Sequence, residues 1–340
     1  MIFVKKLSKK TKVLSSILAV LLLLIGLYFL IGNRKTPEEI QYGVSFNTFY
    51  AEELGLNWRE IYDAIMYDLE VRHLRLAAHW NMVEPEDDVW NFEELDYQIA
   101  VAEETGSEVI FAIGRRLPRW PECHEPEWAK QLAWEDQKTE IIEYLETVVI
   151  RYKDSSAITY WQVENEPFLG VFATEHCGPD LDVTFLEEEI AFVKSLDASR
   201  DVLVTDSGNI GFWKGAYSRG DAFGTSVYVY LWNPDIGPFR SFLTPHFYRF
   251  KAGVMELLYG EKETMLIELS IEPWLLQPII ETSIDTQLER MNITKFREIV
   301  SFAESTRFEK QYLWGVEWWY YLQQEGVDEF WLEAKDIFTN

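Results

Sequence analysis

Cysteine, basic residues and nucleotide-binding motifs are scarce in this 340-residue sequence. It has two cysteines, and none directly follows the N-terminal apolar run, which argues against a lipoprotein anchor. No G-x-G-x-x-G or Walker sequence follows a candidate strand, so a nucleotide-binding doubly wound sheet is poorly supported. Neither an internal repeat nor a low-complexity tract is present. What remains is one large domain, for which 48% hydrophobic residues provide an ample core.

Basic residues are rare outside the N-terminus. The chain has 31 Lys and Arg against 57 Asp and Glu. Seven of the basic residues lie in the first 35, so residues 36–340 carry 24 basic against 57 acidic residues, a net charge of −33. Such a charge repels nucleic acid phosphates, and a neutral ligand is an easier partner than a polyanion.

The N-terminal residues form a separate unit. Residues 1–12 contain five lysines and no acidic residue, and no charged residue occurs from 13 to 33. A membrane-spanning helix needs about 20 such residues, whereas the apolar region of a cleavable signal peptide, the alternative, has ~7–15 and precedes a small-residue cleavage site. We therefore predict an uncleaved transmembrane anchor over 13–31 and a linker over 32–40. Lysines before the span favour a cytoplasmic N-terminus and an extracytoplasmic domain over 41–340.

The two cysteines, Cys123 and Cys177, each stand beside a histidine, in "PECHEP" and "TEHCGP". Outside the cytoplasm they could pair, which would tie the loop after the third strand to the insertion at 168–182. Free thiols and a Cys2His2 metal site are the alternatives, although the spacing is not that of a known zinc finger. We favour the disulfide.

Short apolar runs, rich in β-branched and aromatic residues, alternate with longer amphipathic segments. The strand candidates are 41–46, 73–78, 108–114, 158–163, 201–205, 222–229, 264–269 and 311–319. Helical patterns between them include 91–106, 141–152, 211–220, 247–260 and 286–305. Eight strands alternating with helices over about 300 residues predict a closed (β/α)8 TIM barrel over residues 41–340.

Carboxylates follow the fourth and seventh predicted strands. Glu166 ends the run "WQVENEP", and Glu268 lies at the end of "TMLIEL", with Glu272 four residues further on. In a (β/α)8 barrel the carboxyl ends of all strands meet at one face, where active sites lie. Two facing carboxylates are what glycoside hydrolysis requires, provided that their surroundings push the two pKa values apart. Arg75, in the second strand, is a candidate for keeping Glu268 ionised.

These motifs resemble those of clan A glycoside hydrolases. "WQVENEP" is similar to the Asn-Glu-Pro signature after strand four of that clan, and "HLRLAAHWNMVEPEDDVWNFEELD" is similar to its strand-two segment. "LWGVEWW" resembles the strand-eight segment that carries a sugar-stacking tryptophan. The resemblance covers most of residues 41–320, and it leaves the family within the clan unassigned.

The resemblance implies roles for individual residues. Glu166 would be the general acid/base, and Glu268 the nucleophile of a retaining mechanism, with carboxyl groups about 5–5.5 Å apart. Asn165 would donate to the sugar 2-hydroxyl, and Arg75 would support the nucleophile. Aromatic candidates for the substrate site are Trp318 or Trp319 as the platform, Tyr228 (with Tyr230 as its rival for contacting the nucleophile) and Trp80.

Several other residues have open interpretations. Glu272 competes with Glu268 for the nucleophile role, although Pro273 favours a loop there. His79 follows the second strand with Trp80, and both are candidates for lining the cleft. Arg115, Arg116 and Arg119 are predicted to pair with acidic residues rather than to contact ligand. Glu164 is expected at the surface or behind the site.

The sequence therefore predicts a membrane-anchored, extracytoplasmic glycoside hydrolase that acts on a poly- or oligosaccharide. The double-displacement chemistry needs neither a metal nor an organic cofactor. The alternatives are a transglycosylase, in which an acceptor sugar replaces water, and a catalytically silent carbohydrate-binding barrel. The sugar, the linkage and the choice between endo and exo cleavage are not specified by these residues.

Overall fold

The protein folds as a closed barrel of eight parallel strands, in the order β1-β10-β9-β6-β5-β4-β3-β2. The computed structural model describes residues 9–170, 177, 182–233 and 235–339. The barrel strands are β1 Gln41–Ser45, β2 His73–Ala77, β3 Glu108–Ile113, β4 Ile158–Val163, β5 Asp201–Asp206, β6 Ala222–Val227, β9 Thr264–Ser270 and β10 Lys310–Trp314. A separate antiparallel hairpin follows β6 and consists of β7 Tyr230–Asn233 and β8 Gly237–Arg240.

Helices connect the strands outside the barrel. They are α1 Lys9–Ile31, α2 Thr48–Glu53, α3 Trp58–Asp63, α4 Trp80–Val83, α5 Glu93–Thr105, α6 Trp134–Tyr152, α7 Val183–Leu196, α8 Lys214–Tyr217, α9 Pro245–Tyr259, α10 Ile284–Arg290, α11 Ile293–Glu304, α12 Val316–Gln324 and α13 Glu329–Thr339. The predicted (β/α)8 fold is confirmed. Seven of the eight predicted strands agree with the structure to within two residues at each end.

The barrel interior has an apolar lower layer and a polar upper layer. Seven side chains fill the lower layer and pack together as one cluster: Ile110, Tyr160, Leu203, Ala222, Met265, Ile267 and Tyr312. Above them lie Arg75, Gln162 and Glu268, which are all nearly or fully buried. The apolar layer excludes water from below, so polar groups in the upper layer must be satisfied by one another or from the open end.

Strand β9 contains an extra residue relative to both of its neighbours. Along β6, Thr225 and Ser226 pair with Leu266 and Glu268, and the register to β10 shifts over the same stretch. Ile267 belongs to the interior cluster, whereas Leu266 and Leu269 belong to the core outside the barrel. Strict alternation would send Glu268 outward with Leu266. The bulge turns Glu268 inward instead.

The eighth strand is shorter than predicted, and this corrects the proposed sugar platform. It ends at Trp314, and Gly315, at φ 120°, starts helix α12. Trp318 and Trp319 therefore lie on that helix with no exposed surface. Their indole nitrogens donate to Gln287 Oε1 at 2.8 Å and to the Ile271 carbonyl at 2.9 Å. Neither ring can stack on a sugar.

The apolar N-terminal helix α1 contacts the barrel through its last turn. Residues 14–31 have a mean hydropathy of 2.7 and none of them is buried, so they form a candidate membrane span. Tyr28 packs on His246, with ring centroids 4.5 Å apart, and on Phe250 at 4.9 Å. Gly253 allows close approach, because a Cβ there would lie 2.5 Å from the Ile31 carbonyl oxygen.

Replacing Trp318 with alanine tests its core position. We expect a loss of about 3–5 kcal/mol in the free energy of unfolding, because a fully buried indole leaves a cavity. Urea denaturation of the variant measures this loss. Leu332→Ala, which removes an apolar side chain that is 60% exposed, is the matched control and should change stability little. A Trp318→Ala variant of unchanged stability but weakened sugar binding would instead restore the platform role.

Candidate functional site

Arg75 lies at the centre of the polar layer and connects three strands. Its side chain is 1% exposed. Nε donates to Gln162 Oε1 at 2.9 Å, one terminal nitrogen to Asn165 Oδ1 at 2.7 Å, and the other to Glu268 Oε1 at 3.4 Å. A buried guanidinium requires such partners, since an unpaired buried charge is very costly.

Glu268 is held inside the barrel by a cation and a hydroxyl. Burial raises the pKa of its carboxyl, while the charge of Arg75 and hydrogen bonds from Tyr228 and Arg75 lower it. Tyr228 is fixed in turn by Asn209, whose side chain donates to its carbonyl at 2.9 Å and accepts from its N–H at 3.0 Å. The tyrosine that contacts Glu268 is thus Tyr228. Tyr230 bonds to Glu298, outside the barrel.

Glu166 lies just past the end of β4 in an unusual backbone conformation. Its φ is 45°, a region that costs a non-glycine residue about 1–2 kcal/mol. Its N–H donates to Thr205 Oγ1 at 2.8 Å, and Ser226 Oγ donates to its carboxylate at 2.7 Å. These contacts hold the strained backbone and aim the side chain into the barrel mouth. Backbone strain of this kind is often found at functional sites.

Glu164 fixes this loop from behind. Its carboxylate accepts the backbone N–H groups of Arg115 and Arg116, both at 2.7 Å. Its pKa is nevertheless raised, chiefly by burial. The carboxyl of Glu189, on α7, has a pKa raised well above its usual range by burial and by Glu164. Glu164 is therefore a buried residue behind the site, which is the second of the two positions that the sequence suggested.

The environments of Glu166 and Glu268 differ in charge. Burial and the neighbouring Glu268 carboxylate raise the pKa of Glu166 well above its ordinary value, although Ser226 and Arg116 are among the groups that oppose this. Glu268, by contrast, has Arg75 as its direct ion-pair partner. Glu166 is thus the group that retains its proton, and Glu268 the one that ionises first. One carboxylic acid and one carboxylate can supply a proton and a nucleophile across one bond.

A third carboxylate, which the sequence analysis missed, stands close to this pair. The charge of Glu122 raises the pKa values of both Glu166 and Glu268. Glu122 accepts from Arg116 Nε at 2.9 Å and from a terminal nitrogen at 2.6 Å. The next residue, Cys123, forms a disulfide with Cys177, with an S–S distance of 1.99 Å. The bridge ties the loop after β3 to residue 177, as predicted for a disulfide.

Glu272, the rival nucleophile, is occupied by an ion pair. Arg119 donates to its two oxygens at 2.7 and 3.1 Å, and the indole of Trp314 donates to it at 2.7 Å. Arg119 also contacts Glu317, at 3.4 Å, and its guanidinium lies over the rings of Tyr50 and Trp314. The arginines after β3 pair with acids, as the sequence predicted.

Two further predicted cleft residues are not at the cleft surface. Trp80 is fully buried, and its indole donates to Glu84 Oε2 at 2.7 Å, so its assignment to the substrate site is corrected. His79 is also buried, with its ring 4.2 Å from that of His124. The Trp80 ring packs on Trp128 and Tyr144, and the His79 ring packs on Phe49 as well as on His124. The aromatic residue that borders the site from β10 is Trp314, which the sequence analysis included in a strand but did not single out.

Within the described residues, one group of carboxylates lies close enough to share a cation: Glu84, Asp87 and Asp88. Glu84 already accepts from the Trp80 indole and from the Asp88 N–H, at 2.7 and 3.1 Å. These bonds account for the geometry of the group, which lies apart from Glu166 and Glu268 on the loop after β2.

Comparison with known proteins relates this chain to glycoside hydrolases. The model of Glycosyl hydrolase family 10 matches residues 74–172, from β2 to beyond β4. The "Probable mannan endo-1,4-beta-mannosidase C" of Aspergillus terreus is 31% identical over 112 residues, 29% of this chain and 27% of the relative. "Probable mannan endo-1,4-beta-mannosidase F" of Aspergillus flavus is 29% identical over 181 residues, 49% of this chain and 36% of the relative. The chain thus spans about a third or less of these relatives.

Solved structures share the fold. GH5_18 from Bifidobacterium longum subsp. longum, solved with Manb1-4GlcNAc, superposes with a TM-score of 0.58 at 12% identity, over 81% of this chain and 68% of the other. A glycosylated endo-beta-1,4-xylanase of family 10 from Gloeophyllum trabeum gives 0.51 at 17% identity, over 82% and 86%. The barrel and the matches together confirm the predicted resemblance to clan A (β/α)8 glycoside hydrolases.

The buried Glu317 makes stability depend on pH. Burial raises its pKa from 4.5 to about 7, although Arg119 opposes this. The folded state then holds a proton that the unfolded state loses above about pH 4.5, so the free energy of unfolding falls as pH rises from there to about 7. We expect Glu317→Gln to remove up to about 3 kcal/mol of this fall. Urea denaturation at about pH 5 and pH 7.5 measures the difference. Glu325→Gln, at the exposed end of the same helix, is the control. If the free energy of unfolding fell equally with pH in both variants, Glu317 would not be the source of the dependence.

Proposed function

We propose that the protein is a retaining glycoside hydrolase with Glu268 as nucleophile and Glu166 as general acid/base. The observation that carries the proposal is a pair of buried carboxyl groups whose pKa values are both raised by burial, but whose neighbouring charges differ. Glu268 has the Arg75 cation as its ion-pair partner, whereas the pKa of Glu166 is raised well above its ordinary value by burial and by Glu268. Glu166 follows β4, the fourth strand of the barrel, and Glu268 lies in β9, the seventh.

The proposed reaction has two steps. In the first, a Glu268 carboxylate oxygen bonds to the anomeric carbon while the bond to the leaving oxygen breaks, and that oxygen takes the proton of Glu166. In the second, Glu166, now ionised, takes a proton from water. The water oxygen bonds to the anomeric carbon, and Glu268 leaves as a carboxylate. The two displacements retain the anomeric configuration.

Neighbouring groups support this division of roles. The Asn165 carbonyl oxygen accepts from Arg75 and from Thr205 Oγ1, at 2.7 and 3.3 Å. Its NH2 group therefore points away from Arg75, as donation to a sugar 2-hydroxyl would require. Tyr228 donates to Glu268 and would release that bond as the carboxylate oxygen attacks. Glu272 is the poorer nucleophile, since Arg119 and the Trp314 indole already engage its oxygens.

The substrate that we propose is a neutral, β-linked glycan, with β-mannosides as the first class to test. The net charge of −33 over residues 36–340 disfavours polyanions. The curated relatives described above carry names of mannan endo-1,4-beta-mannosidases. A transglycosylase would use the same two glutamates with a sugar acceptor. A silent carbohydrate-binding barrel would not need Glu166 and Glu268 to differ in protonation. The difference in their surroundings therefore favours an enzyme over a binder.

We also propose that α1 anchors the protein in a membrane as a single pass. Its apolar segment, residues 14–31, is about 27 Å long at 1.5 Å per residue, close to the ~30 Å hydrocarbon core of a bilayer. The lysines that precede it favour a cytoplasmic N-terminus and a barrel outside the membrane.

Covalent trapping tests the nucleophile. Incubation with an activated 2-deoxy-2-fluoro-β-mannoside, followed by digestion and tandem mass spectrometry, should place a glycosyl adduct on Glu268. Glu268→Gln should give no adduct, while Glu272→Gln should still label. An adduct on Glu272 would reassign the nucleophile. Absence of an adduct with this and other 2-fluoro glycosides, together with glycan binding that survives Glu268→Gln, would favour the silent binder.

The pH dependence of kcat/KM tests the acid/base. We expect a bell-shaped profile, in which activity falls at low pH as Glu268 becomes protonated and at high pH as Glu166 loses its proton. Glu166→Gln should lower kcat/KM about 10²–10⁴-fold for a poor leaving group. With an activated aryl glycoside, the same variant should lose the alkaline limb. Glu127→Gln, a change in an exposed side chain on the loop after β3, is the control; an alkaline limb that persists in Glu166→Gln would reject the role.

A further inference from the structure

The contact between α1 and α9 fixes which end of the barrel lies nearest to the membrane. Helix α9 runs from the hairpin after β6 to the start of β9, so its first residue lies at the catalytic end of the barrel. The last turn of α1 lies beside it, with Tyr28 on His246 and Phe250. Ile31, further along α1, lies against Gly253, further along α9. The two helices therefore run in the same direction. The rest of α1 therefore projects beyond the catalytic end.

The length of the apolar segment sets how deep α1 lies in the bilayer. Its 18 residues are about 27 Å long, so a ~30 Å hydrocarbon core takes up the segment as far as its last turn. Tyr28 and Phe29, in that turn, then lie at the outer boundary of the hydrocarbon core, where aromatic residues concentrate in membrane proteins. Because Tyr28 contacts the first two turns of α9, the residues that precede α9 lie at this boundary as well, beside the headgroups.

The loops at this end of the barrel expose apolar side chains on the same side. They follow β5, β6 and β9, which are consecutive strands of the barrel and flank α9. The exposed side chains are Ile210, Phe212, Ile236, Phe242, Leu276 and Ile280. Phe212 is 90% exposed and Phe242 88%. Apolar side chains that are exposed together on neighbouring loops, as these six are, mark an interaction surface.

The loops after β5 and β6 are joined to α9. Lys251, on α9, donates to the carbonyls of Gly208 and Gly211 at 3.0 and 2.8 Å, and Phe242 lies three residues before Pro245. The α1 contact continues along α9 to the Arg34–Glu256 ion pair. A tilt of the barrel relative to α1 would have to break these contacts. The contacts with α9 thus hold the loops after β5 and β6 in a fixed position relative to the end of the span.

We propose that the loops after β5, β6 and β9 insert apolar side chains into the outer headgroup region of the membrane that α1 spans, so that the catalytic mouth opens toward the bilayer. This rests on the proposed anchor and deepens the proposed function. The glycans within reach of Glu166 and Glu268 are then those held at the membrane surface. The acidic surface of the domain gives no electrostatic attraction to anionic lipid, so burial of aromatic side chains drives the contact.

Site-directed labelling of the full chain in phosphatidylcholine vesicles tests this orientation. Single cysteines at Leu22, Phe212, Phe242 and Leu257, with Cys123 and Cys177 left bridged, would carry a bimane fluorophore. Leu257 is a matched control, because it is 73% exposed but lies at the opposite end of α9. Lipids brominated near the headgroup should quench the labels at 212 and 242 at least twofold more than the label at 257. The label at 22 should be quenched by lipids brominated deep in the chains.

The outcomes separate the two proposals. A quenched label at 22, with labels at 212 and 242 no more quenched than that at 257, would keep the anchor and overturn the orientation. An unquenched label at 22 would overturn the anchor and the orientation with it. Shielding of 212 and 242 from iodide in detergent as well as in vesicles would assign the surface to self-association instead. None of these readouts depends on glycosidase activity, so a failure of the proposed reaction would leave them unchanged.

Discussion

The buried charge of Arg75 is the constraint on which the rest of the site depends. A guanidinium that is 1% exposed must be neutralised and hydrogen-bonded from every side. The barrel meets this need with Gln162 from β4, Asn165 from the loop after it and Glu268 from β9. The contacts with Asn165 and Glu268 also orient groups that the proposed reaction uses. Electrostatic stabilisation of the fold and preparation of the nucleophile are therefore the same interaction, and a change at Arg75 would alter both together.

Much of the fold followed from short apolar runs and their spacing, because a buried parallel strand is apolar on both faces and is easily recognised. Glu166 and Glu268 were found because they break such runs at their carboxyl ends. The bulge in β9 could not be predicted, since nothing in "TMLIELS" shows that Ile267 and Glu268 both face inward. Trp318 and Trp319 were misplaced because "LWGVEWW" is as apolar as a strand, although Gly315 ends it.

The comparisons and the geometry cover different parts of the site. The family model ends at residue 172, so it includes Arg75, Asn165 and Glu166 but not Glu268. The link to β9 comes from the hydrogen bonds and the ion pair in the barrel. Glu122 and Glu317 were invisible to sequence reasoning for another reason: their influence comes from burial and from charges that are distant along the chain. An acidic sequence offers many glutamates, and only the packed structure distinguishes those that are desolvated.

The one-residue bulge in β9 also bears on how such barrels diverge. Ile267 is the inserted residue, so loss of its codon would remove the bulge, and Glu268 would then follow the outward-facing Leu266 directly and still face Arg75. A relative with a regular β9 that is one residue shorter could therefore present its glutamate at the same place in the barrel. The number of residues before the glutamate would differ between the two chains, although its direction would not. Register, rather than position along the chain, is the trait to compare among such barrels.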